Sequence, residues 1–301
     1  MKEVNLVTRN KYALITGATS GFGFELSRLL AKDSYNLILV ARNEGRLQQI
    51  ADNLKMEFGI EVTPLAKDLF NPQAPQEIYD KVAEMGVTID VLVNDAGQGE
   101  WGKFAEIELQ RSLDIIQLNI SSLVALTRLF LTDMIARGEG RILQLGSEAG
   151  KAPMPLLSVY AATKAFVLSF SAALSNEVKD TGVTITVLLP GAADTDFFHK
   201  AHAEHTKTYR EEALQTPEEV ALDGYEALMS GESKVISGGK TKMHVLMANM
   251  MPDAANAANM RKNMEPSDKT DGRTEPGHEA SAVEREKISE QTGTFSGDYK
   301  S

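Results

Sequence analysis

The chain of 301 residues contains no cysteine. Disulfides, cysteine-ligated zinc, iron–sulfur clusters and thiol nucleophiles are therefore excluded together. The absence fits a reducing compartment, and a cytoplasmic location is expected. Basic residues are in deficit, with 31 Lys and Arg against 42 Asp and Glu and a net charge of −11. Without a basic surplus to neutralise a phosphate backbone, nucleic acid is not expected as a partner. Long apolar runs are scarce too. The best stretch, residues 122–136, is interrupted by Arg128 and Asp133 and falls short of the ~20 residues a spanning helix needs, so no transmembrane segment is expected. The N-terminal residues carry charge and then only five strand-like positions before Gly17. That is not the layout of a secretory signal.

What is present is an alternation of short β-rich runs with longer helical stretches. The runs fall at residues 12–16, 37–40, 62–65, 89–93, 141–145 and 184–189, with a seventh at 234–237. They are almost continuously apolar, as strands are when helices cover both faces of a parallel sheet. Residues 106–136 repeat apolar side chains at intervals of three and four, which is helical spacing. The pattern predicts an α/β fold with a doubly wound parallel sheet of about seven strands and helices on both faces. A single domain is expected over residues 1–251, followed at 252–301 by a methionine-containing extension and an acidic tail. From residue 264 onward there are nine acidic and five basic side chains and few apolar ones, too little to offset the entropy of ordering. Six of the 12 methionines lie at Met243, Met247, Met250, Met251, Met260 and Met264. Their partly helical spacing suits core or subunit packing, with adaptable docking as the alternative.

The first strand leads through Thr16-Gly17-Ala18-Thr19-Ser20-Gly21-Phe22-Gly23 into a helix. Glycines there permit a tight turn and close approach of backbone amides to a pyrophosphate at the helix N-terminus. Glycine turns alone are a weak signal; this one opens a βαβ series, which is the context that gives it meaning. A site for NAD usually has a carboxylate at the end of the second strand, but that place reads Ala41-Arg42-Asn43. The planar, permanently charged Arg42 suits the 2′-phosphate of NADP(H), which is expected over NAD(H). Asp68, after the third strand, could accept from an adenine amino group or simply form a turn.

Tyr160 and Lys164 stand four apart, on one face of a helix. A neighbouring ammonium favours phenolate and would lower the Tyr160 pKa toward a useful acid–base range. Of seven tyrosines, only Tyr160 has a lysine four residues on. Ser147 follows the fifth strand, at the carboxyl edge where open α/β sheets place ligands. As a hydrolase nucleophile it would be out of register, since the sequence is Gly146-Ser147-Glu148-Ala149-Gly150.

Together these residues resemble the short-chain dehydrogenase/reductase family in its short, single-domain form. Asn94-Asp95-Ala96-Gly97, Asn119, Pro190-Gly191 and Thr195 add to the resemblance, in the family's order. It implies an oxidoreductase that transfers hydride between a nicotinamide and a carbonyl or secondary alcohol. Tyr160 would be the general acid/base, Lys164 would tune it and hold the nicotinamide ribose, Ser147 would bind the reacting oxygen, and Asn119 would support a water relay. Gly17, Thr19, Ser20, Gly21, Phe22 and Gly23 would form the pyrophosphate turn. Arg42, Asp68, Leu69, Asn94, Ala96 and Gly97 would line the adenosine side, and Pro190, Gly191 and Thr195 the nicotinamide side. The resemblance also implies a small-molecule carbonyl or alcohol as substrate and a homotetramer or homodimer. One departure is Asp95, where the family usually has asparagine.

Substrate identity is expected in residues 98–102, 151–157 and 194–215, with the last resembling the family's mobile lid. His199, His202 and His205 there invite a metal reading, but steps of three drift by about 60° on a helix and spread the side chains apart, so no metal is expected. A different class of function stays open: a non-catalytic NADP(H)-binding sensor or interaction protein. A nucleotide-sugar epimerase would require a larger C-terminal substrate domain than this chain offers.

Overall fold

The computed structural model describes Thr8 and residues 10–269. Its strands are β1 (Tyr12–Thr16), β2 (Asn36–Ala41), β3 (Val62–Ala66), β4 (Ile89–Asn94), β5 (Gly140–Leu145), β6 (Val183–Leu189) and β7 (Lys234–Ile236). All pair in parallel in the order β3-β2-β1-β4-β5-β6-β7. The doubly wound sheet of seven strands is therefore as the sequence pattern predicts. Strand order reverses between β1 and β4, and the crevice at their carboxyl ends is the place where such sheets bind ligands.

Alternation along each strand sorts the core into two layers. Ile15, Leu37, Leu39 and Val91 face one side, under Leu26 and Leu30 of α1 (Gly21–Lys32), Leu47 and Ile50 of α2 (Glu44–Phe58), and Val220 and Leu228 of the helix at Pro217–Ser230. Leu14, Ile38, Leu92 and Ile142 face the other, under Ile78 and Val82 of α3 (Ala74–Glu84) and the inner face of α5 (Leu123–Arg137). Each such fully buried side chain contributes about 1.5–3 kcal/mol relative to exposure.

Local chemistry sets the helix ends. Asn43 caps α2 by accepting from Arg46 N at 3.0 Å, and Gly59 ends it in the left-handed region at φ 69°. Helix α4 (Leu109–Ile116) passes through a π turn at Gln117–Ser122 directly into α5. The charges at Arg128 and Asp133 therefore do not break it. Among the described residues, Leu109–Arg137 is 29 residues long and holds an 18-residue window of mean hydropathy 1.5, enough by length and composition to cross a membrane. This corrects the expectation from run length. Half of the apolar window is buried, and Leu126, Phe130 and Met134 pack on the sheet as a core helix does.

Helix α6 (Ser158–Glu177) covers β5 and β6. Beyond β6 come two short helices, α7 (Phe197–Lys200) and α8 (Lys207–Glu211), and then α9 (Pro217–Ser230), opened by a Thr216–Glu219 capping box. After β7 follow α10 (Gly239–Met250) and α11 (Asp253–Met264). The compact unit runs to Asp268, past the boundary expected at 251. The physical reason is α11: Met264 is 2% exposed, and its carbonyl accepts from Trp101 Nε1 at 2.8 Å. The expected acidic tail lies, from residue 270, outside the described residues. The methionines divide. Met243, Met247 and Met250 are exposed, which core packing does not explain, whereas Met264 is buried.

Candidate active site

One cavity of about 260 Å3 runs along the carboxyl edge of the sheet, from the β1–α1 turn and Arg42 to Ser147, Tyr160 and Lys164. The turn reverses direction at Gly17 and Gly21, which have φ of 73° and 57°. A Cβ on Gly21 would point at Thr195, 3.3 Å from its Cγ2. Thr19, Ser20 and Phe22 line the cavity with them. Gly23 does not line it. A Cβ there would come within 2.6 Å of both Asp95 Oδ2 and Gly17 O, so this glycine lets the turn pack on the loop after β4.

At the other side of the turn, Arg42 projects from the end of β2 with its guanidinium 5.1 Å from the centre of the Phe70 ring. Among the described residues no carboxylate pairs with it. Asp68 and Leu69 also line the cavity, but Asp68 Oδ1 accepts from Phe70 N at 3.1 Å and so forms the turn that was its alternative role. Ala96 and Gly97 line the cavity and Asn94 does not. Asn94 is 4% exposed and donates from Nδ2 to Thr127 Oγ1 and Gln144 Oε1, at 3.0 and 3.1 Å. As the last residue of β4 it points into the layer under α5, a correction to the expectation that it faces adenosine.

Sequence reasoning missed Thr16. Its Oγ1 accepts from both Asp95 N and Ala96 N at 3.1 Å and donates to Val93 O. It thereby fixes the loop after β4 against the glycine turn. Its place as the last residue of β1 was the available signal.

The end of the cavity that holds Ser147, Tyr160 and Lys164 is built on α6 and the end of β5. Lys164 is 4% exposed and donates to Leu145 O at 2.7 Å, with Nζ 5.7 Å from the centre of the Tyr160 ring. The missing Cβ of Gly97 would lie 3.5 Å from that Nζ and 3.4 Å from Asn119 Oδ1, so glycine there makes room for both. Asn119, in the π turn, is outside the cavity lining. It accepts from Gln98 N and donates to Gln98 O and Thr163 Oγ1, at 2.9–3.0 Å. It thus braces the β4 loop against α6, a positioning role in place of direct contact. Ser147 caps a short 3-10 turn by accepting from Ala149 N at 3.1 Å, and Pro190 O accepts from Glu148 N. Gly191 and Thr195 complete that wall.

Burial dominates the electrostatics. It pushes the Tyr160 hydroxyl up to about 12, helped by the Asp95 and Glu148 charges and opposed by a hydrogen bond with Ser147. Lys164 was expected to lower it and is not among the causes. Burial also pushes Lys164 down to about 8, against the pull of Asp95. Asp95 itself is pushed up to about 7 by burial, opposed by Lys164, the Gly23 amide and Lys200.

Beside this end of the cavity lies a small second core. Leu157, Phe198, Tyr209 and Met264 are buried together, with Trp101, Met154 and Phe197 against them. The Phe197 and Tyr160 ring centres are 4.7 Å apart. The three histidines go separate ways: His199 to Tyr209, His202 to Glu100, and His205 edge-on to Trp101. Met260, Asn263 and Met264 of α11 line the cavity, as does His244, which pairs with Glu148 at 3.2 Å. None of these four was singled out from the sequence as a cavity residue. The four-residue step from Met260 to Met264 was the only trace of the α11 face.

A parallel doubly wound sheet with a glycine turn after its first strand, and a serine, a tyrosine and a lysine meeting at its carboxyl edge, is an open α/β fold of the dinucleotide-binding class. Residues 11–206 match the short chain dehydrogenase family, and the chain belongs to it. It is 37% identical over 186 residues to the very-long-chain 3-oxoacyl-CoA reductase of Rattus norvegicus, covering 60% of this chain and 58% of that one. The match therefore spans less than two thirds of that relative. It is 38% identical to sulfoacetaldehyde reductase 2 of Chromohalobacter salexigens, over 61% and 73% of the two chains. A short-chain dehydrogenase from Sphingobium yanoikuyae, solved in complex with NADPH, superposes with a TM-score of 0.71 at 26% identity, covering 88% of this chain and 98% of that one.

The residues present fit a nicotinamide dinucleotide. The Gly21 position leaves open a cradle that a Cβ would fill, and Arg42 stands at the end where a carboxylate would repel a phosphate.

Proposed function

We propose that the chain is an NADP(H)-dependent carbonyl reductase, working in reverse as a secondary-alcohol dehydrogenase. The observation that carries this reading is one cavity with Ser147, Tyr160 and Lys164 at one end and Arg42 at the other. A bound reduced nicotinamide supplies the hydride that the carbonyl carbon receives.

The chain's own residues do the rest. The Ser147 hydroxyl donates to the carbonyl oxygen and orients it. The Tyr160 hydroxyl, kept protonated by its burial, gives its proton to that oxygen as charge develops there. Lys164, anchored on Leu145 O, would hold the nicotinamide ribose beside it. Arg42, its guanidinium 5.1 Å from the centre of the Phe70 ring, would hold the 2′-phosphate with its planar fork. The apolar wall of Met154, Leu157 and Phe197 takes the body of the substrate. Exposed Leu109, Leu113 and Ile116 on α4, and Phe166 on α6, support a homotetramer or homodimer.

Parallel fluorescence titrations with NADPH and NADH test the cofactor assignment. NADPH is expected to bind about 10–100-fold tighter, the worth of a charge-assisted pair, and Arg42→Ala is expected to remove most of that ratio. Equal or tighter binding of NADH by the unsubstituted chain would overturn it.

A further inference from the structure

Asp95 is a carboxylate set directly beneath the turn that is to hold a diphosphate. Its Oδ2 lies 2.8 Å from where a Gly17 Cβ would be and 2.6 Å from where a Gly23 Cβ would be, filling the underside of the turn. It also accepts the Gly23 amide hydrogen. Its Oδ1 is buried and has no hydrogen-bond partner. Among the described residues, the titratable groups that face it are Lys164 and Tyr160 on α6 and Lys200 on α7. Both lysines have other ties, Lys164 to Leu145 O and Lys200 to Asp196 at 3.3 Å. Asp95 also lines the cavity.

A dianionic diphosphate held at this turn would add negative charge next to a buried carboxylate whose Oδ1 lacks a hydrogen-bond partner. Two like charges in one poorly solvated site do not both stay ionised. The neutral carboxyl, in contrast, still accepts from Gly23 and carries a hydrogen of its own. We propose that Asp95 is a proton-carrying positioning residue of the cofactor turn, and that the chain takes up a proton at this carboxyl when a nicotinamide dinucleotide binds. The inference rests on the cofactor reading above. Burial already pushes this carboxyl up to about 7, so the uptake falls in the pH range where the protein is handled.

The experiment is NADPH binding to the full chain by calorimetry, from pH 6 to 9.5, in buffers of different ionisation enthalpy, which count protons directly. The wild-type chain is expected to take up a substantial fraction of a proton near pH 8 and to bind about tenfold more weakly at pH 8.5 than at pH 7. Lys164 also titrates in this range, so two substitutions separate them. In Lys164→Met the uptake persists with its maximum displaced to higher pH, because the cation that lowered Asp95 is gone. In Asp95→Asn/Lys164→Met it disappears. Uptake abolished by Lys164→Met alone, or kept in the double variant, would overturn the proposal. A second readout is the 13C carboxyl resonance of Asp95, identified by its loss in Asp95→Asn, which is expected to titrate near neutrality and move up with NADPH. A resonance titrating in the ordinary carboxylate range in both states would also overturn it. Failure of NADPH to bind the wild-type chain at all refutes the cofactor reading, whereas binding without these proton signatures refutes the role of Asp95 alone.

Discussion

Replacing Gly23 by alanine tests whether the turn and the β4 loop are as tightly pressed together as their geometry requires. The new Cβ would sit 2.6 Å from Asp95 Oδ2, 2.6 Å from Gly17 O and 2.9 Å from Gly17 C. A side chain can rotate away; the Gly17 backbone cannot, because its N–H is bound to Val40 O at 2.9 Å. Overpacking of this kind costs about 1–3 kcal/mol, and the lost acceptance of the Gly23 amide adds about 1 kcal/mol. The expected total of roughly 2–4 kcal/mol corresponds to a fall in Tm of about 5–15 °C for a domain of this size. Urea denaturation followed by circular dichroism measures the stability, and NADPH titration reports the turn. Since half of the conflict is with backbone, Asp95→Ala in the same chain should recover only part of the loss. A Gly23→Ala chain within about 0.5 kcal/mol of wild type would refute the packing argument, and so would complete rescue by Asp95→Ala.

Further outcomes follow from the same contacts. Trp101→Phe removes the 2.8 Å hydrogen bond to Met264 O that ties α11 over the cavity; a loss of about 1 kcal/mol is expected, with KM for a carbonyl substrate rising more than the Kd for NADPH, as steady-state kinetics beside fluorescence titration would show. Leu92→Ala, at a fully buried site in β4, should cost about 2–5 kcal/mol in urea denaturation. Lys164 has a folded pKa of about 8 against an ordinary 10.5. Its penalty on stability is therefore complete below pH 8 and fades as pH rises toward 10.5. Lys164→Met should consequently gain more, or lose less, at pH 7 than at pH 10, by about 3 kcal/mol from the shift, measured as denaturation midpoints at the two pH values.

The strands and the reacting residues were legible because each is a local signal. Apolar runs such as residues 37–40 mark buried parallel strands, and Tyr160 and Lys164 meet simply because a helix repeats every 3.6 residues. The walls that come from distant chain were not legible. Met260 and Met264 reach the cavity because Trp101, 163 residues from Met264, holds α11 in place, and no spacing within 253–264 encodes that contact. Asn94 shows the other limit, since one step along β4 decides whether a side chain enters the cavity or the layer under α5. Asp95 was visible as a departure from the family pattern, but its consequence was not. That depends on burial and on how the cations of α6 and α7 fall around it.

The central claim is that a carbonyl is reduced in this cavity with Tyr160 as the proton donor. A single-turnover experiment tests it most directly: the chain, in excess over NADPH, is mixed with a panel of ketones, aldehydes and 3-oxo compounds, and the loss of nicotinamide absorbance is followed. The wild-type chain should consume its bound NADPH with at least one member of the panel. Tyr160→Phe should bind NADPH equally well, seen by fluorescence, and consume it about 100–10,000-fold more slowly. Turnover that survives Tyr160→Phe, or NADPH bound tightly and consumed with no carbonyl offered, would contradict the account.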